Sequence, residues 1–202
     1  MTYYKATQPD GTSFYDGTTK WEVGEVTSLP EGDRKHTLCS AGLLHASTEP
    51  GESLTGGWWP CRLFIVEPVG DLIIDDHHPY KVGAYEWSVL EEIEAWRALG
   101  PNGERVAAHF EQCKTLTTDE FLRLAASRDK AWCTSRDEAR HASMDAAAGR
   151  YAAWNVAKDA AWYTSRDAAL ALVTWDLATE DGPYTVEMRD LLYQPWKEVI
   201  GE

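Results

Sequence analysis

The segment 62–76, RLFIVEPVGDLIIDD, does most to limit what this chain can become. Leu63, Phe64, Ile65 and Val66 form an uninterrupted apolar run, β-branched and aromatic in character, with the length of a buried strand. Pro68 and Gly70 break it, and Leu72, Ile73 and Ile74 form a second apolar run. Such runs on either side of turn residues predict a strand–turn–strand unit. The chain then enters DDHHPYK (75–81), which brings two acids, two imidazoles and a lysine together where a strand should surface.

The rest of the first half reads in the same idiom. YYKAT (3–7) predicts a strand, stopped by the turn signal Gln8-Pro9-Asp10-Gly11. Short strands are expected at 13–15 and 20–23, around Asp16-Gly17, and another at 43–47, entered through Gly42. Segment 29–35 is a polar loop, and GGWWP (56–60) is an irregular one anchored by its tryptophans. Segment 86–93 fits a strand through Trp87 and Val89, and equally a helix through Trp87, Leu90, Ile93 and Trp96. Residues 1–100 therefore predict a small, twisted, mostly antiparallel sheet.

Gly100-Pro101-Asn102-Gly103 marks a joint, and 101–202 reads as a helical arm, so the chain is an α+β protein. Val106, Ala107, Phe110 and Cys113 recur at helical spacing, and Thr117 with Glu120 forms a capping box. From 118 to about 178 there is no proline and one glycine, Gly149, among many alanines, the strongest helix formers. This stretch holds a duplication: RDKAWCTSRDEA (128–139) returns thirty residues later as KDAAWYTSRDAA (158–169). Trp132 and Arg136 share a helix face, as do Trp162 and Arg166. One helix spanning the stretch would be about 90 Å long. A hairpin breaking near Gly149, or a bundle, is expected instead, packing on the sheet or on a second copy of the chain. A final helix over 184–200 is expected to kink at Pro195.

Composition narrows the functions. The net charge is −14, with 16 acids against 7 bases in residues 1–100. Such a balance repels phosphate backbones and disfavours nucleic-acid binding. Cys39, Cys61, Cys113 and Cys133 form no CxxC pair and read as small buried residues of a reducing cytosol. The N-terminal MTYYKATQPDG lacks the apolar core of a signal peptide, and no apolar run approaches the roughly 20 residues of a membrane span. The expectation is a cytoplasmic protein with no membrane contact. No metal site is expected either, because adjacent His77 and His78 point apart in extended chain.

YYKATQPDG and RLFIVEPVGDLIIDD together resemble the small rifamycin ADP-ribosyltransferases, over about residues 1–95. In that family a strand with His-Gly-Thr opens the fold, and a strand ending Val-Glu-Pro-Thr-Gly leads to an acidic segment. Over its full length the chain also resembles a group of actinobacterial phage proteins with an Arg-Asp-Ala-Trp-rich helical tail. The first resemblance implies an NAD site. The family's NAD-binding histidine falls at Lys5 and its threonine at Thr7. Its nicotinamide-stacking aromatic falls near Leu44 or His45. Its late acid, which supports the cation-like sugar of the transition state, falls at Asp75 or Asp76. His77 borders the same segment and is counted with the ligand-binding residues.

Lysine in the histidine position changes both charge and reach, so the reading preferred from sequence is a binding protein. It would hold NAD or an ADP-ribose-derived nucleotide, and in a phage setting could sequester a host-defence signal. Two alternatives stand beside it. One is an active NAD-dependent transferase or NAD-cleaving enzyme; the other is an inhibitor that meets a host protein through the helical arm. The structural reading of the same residues puts Lys5 on a solvent face, makes His45 a satisfied half-buried histidine and makes 75–78 a solvated turn.

Overall fold

Alternation of apolar side chains builds the first half. A computed structural model of the protein describes residues 1–130, 134–146, 151–160, 165–175, 182 and 184–201. Among the described residues six strands are formed: β1 (Tyr3–Thr7), β2 (Val26–Ser28), β3 (Leu44–Ser47), β4 (Arg62–Pro68), β5 (Lys81–Ala84) and β6 (Glu86–Ile93). They make one antiparallel sheet in the order β2-β6-β4-β1-β3-β5. In β6, Trp87 and Val89 are buried and Leu90 is exposed, so the period of two wins over the helical reading of 86–93. Leu90 is also the bulged residue: Ile65 pairs with Glu91 and Val66 with Val89.

The sheet is curled, and one hydrogen bond shows it. The Trp87 indole of β6 donates to the Leu44 carbonyl of β3 across 3.0 Å. Strands β4 and β1 lie between them, a separation of about 14 Å along a flat sheet, beyond the reach of one indole. Tyr3, Trp21, Leu44, Phe64, Val66, Val82, Trp87 and others fill the resulting hollow as one core.

Three expected strands are corrected. Segments 13–15 and 20–23 form no strands; a single bridge joins Thr12 to Lys20. The reason is local. Asp10 accepts the Thr12 N–H and Asp16 accepts those of Thr18 and Thr19, turns that compete with a ladder. The second apolar run also fails to extend. Ile73 bridges Gly83 and packs with Leu38 and Leu43, while Ile74 is 70% exposed. The Asp75 carboxylate then takes the His77 N–H and turns the chain.

The chain divides into two compact units, Met1–Ala98 and Leu99–Glu202. The second is helical, with α1 (Gly103–Lys114), α2 (Thr118–Lys130), α3 (Thr134–Ala146), α4 (Tyr151–Ala160), α5 (Arg166–Val173) and α6 (Val186–Ile200). The capping box forms: Thr117 and Glu120 exchange hydrogen bonds at the start of α2. Every residue from Asp167 to Val173 in α5 is buried, so α5 is the centre of a bundle. Its alanines 168, 169 and 171 let neighbouring helices approach, and α1, α3, α4 and α6 all pack on it. The described helices are therefore shorter than the arms of a single hairpin. The break expected near Gly149, and Trp132 and Trp162 of the duplication, lie outside the described residues. Pro195 is inside α6, whose N-cap is Thr185 and whose C-cap is Gly201 in the left-handed region. Among the described residues, no helix is long and apolar enough to cross a membrane.

Candidate functional site

The pairing β1-β3-β5 gathers basic side chains in a chain that has few. Tyr4 pairs with Ser47 and Ser47 with Lys81, so one row crosses three strands. Lys5 follows Tyr4 on β1, and His45 lies on β3. Two of the first half's seven lysines and arginines, with one histidine, thereby come within electrostatic range of one another. The charges of Lys5 and Lys81 both act on His45, and that of Lys81 acts on Lys5.

Lys5 is half-buried, and its ammonium lies 4.8 Å from the centre of the Trp21 ring. Trp21 is itself 1% exposed and fixed by donating to Ser13 Oγ. Burial pushes the Lys5 ammonium down to about 8; the charge of Asp16 opposes this and that of Lys81 adds to it. Asp16 does not pair with Lys5 directly, since its carboxylate is taken up by Thr18 and Thr19. Among the described residues, the cation–π contact with Trp21 is the only direct polar contact of the Lys5 ammonium.

His45 is lowered to about 4, by burial first and then by Lys81 and Lys5. The imidazole is neutral, and its Nε2 accepts the backbone N–H of Cys39 at 3.2 Å. Cys39 sits on the loop 35–42, closed at its base where the Lys35 N–H donates to the Gly42 carbonyl. Its φ of 63° is in the left-handed region, uncommon for any residue but glycine.

The other residues singled out from sequence divide. Thr7 is fully buried, and its hydroxyl donates to the Gln8 carbonyl. Asp75 is half-buried, with Oδ1 accepting the His77 N–H at 2.7 Å and Oδ2 at 3.5 Å from His78 Nδ1. The His77 hydrogen bond, foremost, holds its carboxyl below the usual range. Asp76 and His77 are exposed.

Sequence reading missed the group that Asp75 belongs to. Cys39 is exposed, which corrects its assignment as a buried thiol; Cys61 and Cys113 are buried. The Cys39 sulfur accepts from Lys81 Nζ at 3.2 Å and lies 3.6 Å from His78 Nε2. A signal was present on one side only, in DDHHPYK, which contains His78 and Lys81; nothing in HTLCSAG marks Cys39 as their partner. Among the described residues, no three His, Cys, Asp or Glu side chains are grouped to hold a metal ion.

Comparison with protein-family models, with curated proteins and with solved structures finds no match for this chain.

Proposed function

We propose that the N-terminal unit binds a phosphate-bearing nucleotide, NAD or an ADP-ribose-derived molecule, and holds it without turning it over. The observation that carries this reading is Lys5: a desolvated ammonium with no carboxylate partner among the described residues, close enough to Lys81 to feel its charge, in a chain of net charge −14. An acidic protein that leaves a cation unpaired has a stabilising interaction in reserve for an anion. The unit's antiparallel sheet is compatible with the ADP-ribosyltransferase-like fold that the sequence resembles. Asp75 is already engaged by His77 and His78, which weighs against its acting as the acid of a transferase. In a phage setting, binding without turnover would sequester a nucleotide signal in the host cytoplasm.

Thermal unfolding with and without NAD, ADP-ribose and cyclic nucleotides tests this. Ligand at a hundred times its Kd adds about 2.7 kcal/mol and raises the melting temperature visibly. The reading requires such a shift with one of these compounds, its loss in Lys5→Met, and no nicotinamide release over hours. Absence of any shift sinks it, and steady nicotinamide release replaces binding with catalysis.

A further inference from the structure

Three side chains from two loops make a connected relay in the N-terminal unit. The Cys39 sulfur is 3.6 Å from Nε2 of His78, and Nδ1 of the same ring is 3.5 Å from Oδ2 of Asp75. The other oxygen of Asp75 is fixed by the His77 N–H, so the carboxylate has a set direction. With Nδ1 facing a carboxylate, the ring proton belongs there, which leaves Nε2 as a base toward the sulfur. Lys81 places an ammonium 3.2 Å from that sulfur. The turn that carries these groups is closed by two backbone bonds, His78 N–H to the Asp75 carbonyl and Lys81 N–H to the His78 carbonyl. Nucleophile, base and orienting acid in contact are the arrangement that activates a weak nucleophile.

We propose that Cys39 is a nucleophilic thiol that accepts an acyl group from an activated ester or thioester, with His78 as its base, Asp75 positioning the imidazole and Lys81 beside the reacting centre. His78 Nε2 takes the thiol proton as the sulfur attacks the carbonyl carbon. The new C–S bond forms, and the carbonyl electron pair moves to oxygen, where the Lys81 charge opposes its cost. On collapse the bond to the leaving alkoxide or thiolate breaks, and the proton on His78 passes to it. Cys39 is left as a thioester; water, deprotonated by the same imidazole, attacks its carbonyl carbon, the C–S bond breaks to release the acid, and the imidazolium returns its proton to the Cys39 thiolate. Exposure of Cys39 admits the substrate. The other two described cysteines are unsuited, since burial pushes Cys61 up to about 12 and raises Cys113 as well.

The test uses the whole protein and p-nitrophenyl acetate. The expected result is a nitrophenolate burst of one per chain, with acetyl mapped by mass spectrometry to Cys39 and absent from Cys61 and Cys113. Cys39 should acylate at least about 10²-fold faster than N-acetylcysteine and faster than the same chain unfolded in urea, with that advantage lost in His78→Asn. Asp75→Asn should slow acylation and Asp75→Glu should recover it, since only the second restores a carboxylate to orient the ring. Acylation no faster than N-acetylcysteine, or equal rates in folded and unfolded chain, overturns the proposal whether or not the variants fold. The nucleotide reading stands or falls separately, because its readout is the melting shift.

Discussion

The imidazole of His45 accepts the backbone N–H of Cys39 across 3.2 Å, so a side chain on β3 fixes a loop that begins ten residues upstream of it. Only the neutral ring can do this, because a protonated imidazole has two donors and no acceptor. Burial, with the charges of Lys81 and Lys5, keeps it neutral down to about pH 4. Burial first, and the charges of Lys81 and Lys5 after it, therefore act on the loop through His45: they hold the ring in the form that binds Cys39.

Acid should release that loop. An unfolded chain protonates His45 at its ordinary value of 6.5 and the folded chain only near 4, so the unfolded state binds more protons between them. The stability His45 contributes is complete above pH 6.5 and is lost as pH falls through this window. The loss is on the order of 1 kcal/mol once solvent screening of a half-buried group is allowed for. Glutamine keeps an acceptor without titrating, so His45→Gln should show a smaller fall in urea midpoint between pH 7.5 and 4.5 than wild type. Equal falls would remove His45 from the account.

Lys5 titrates in the same direction but in another range. Its folded value, about 8, lies below the ordinary 10.5, so folding disfavours the charged form. The penalty is complete below pH 8 and is relieved as pH rises toward 10.5. Lys5→Met removes it and retains contact with Trp21. The variant should be more stable than wild type at pH 7, by on the order of 1–2 kcal/mol, and should lack the rise between pH 8 and 10.5. Chemical denaturation across that range reads both effects. A destabilised Lys5→Met would mean that the cation–π contact outweighs the burial of the charge.

The loop that carries Cys39 depends on a glycine. A Cβ added at Gly42 would lie 2.5 Å from Cβ and 2.6 Å from the backbone N of Lys35, atoms that cannot swing aside. Gly42→Ala should cost about 1–3 kcal/mol in urea denaturation, as overpacking does, and should open the Lys35–Gly42 closure. Hydrogen exchange at the Lys35 and Cys39 amides should then accelerate. Unchanged exchange would mean that the loop absorbs the methyl elsewhere.

How far the sequence reached depends on the range of the forces involved. Strands β1 and β4, the α2 capping box and α6 rest on periodicity or on contacts three or four residues apart, and these are visible in a linear string. The failed strands at 13–15, 20–23 and 72–74 fell to carboxylates, Asp10, Asp16 and Asp75, that hydrogen-bond the backbone two or three residues on. That chemistry is also local, and in these segments it prevails over apolar patterning. Cys39 is a different case. Its partners His78 and Lys81 are 39 and 42 residues away and meet it through the β3–β5 pairing, which no local pattern encodes. The segment 75–81 could be marked as chemically dense, but the sulfur it serves could not be read from the sequence.

In the helical unit the duplication leaves a measurable asymmetry. Asp137 and Asp167 occupy equivalent positions thirty residues apart, and both bind one guanidinium, Arg140. Asp167, in the buried α5, takes two parallel bonds of 2.7 Å from Arg140 Nε and Nη2, and its side chain is 11% exposed. Asp137, on α3 with Arg140, is 48% exposed and takes a single bond. A two-pronged pair with one partner buried is worth far more than an exposed pair one helical turn apart. Asp137→Ala should therefore cost about 0.5 kcal/mol or less. Asp167→Ala should cost about 2–3 kcal/mol, because it strips the guanidinium of its buried partner and removes the one acid that α5 encloses. The double variant Arg140→Met with Asp167→Ala should recover part of the loss, giving a coupling of about 1–3 kcal/mol. Chemical denaturation of the four proteins measures it. Additive losses would mean that α3 and α5 are joined by their alanines, Ala139 and Ala171, and that the ion pair only follows.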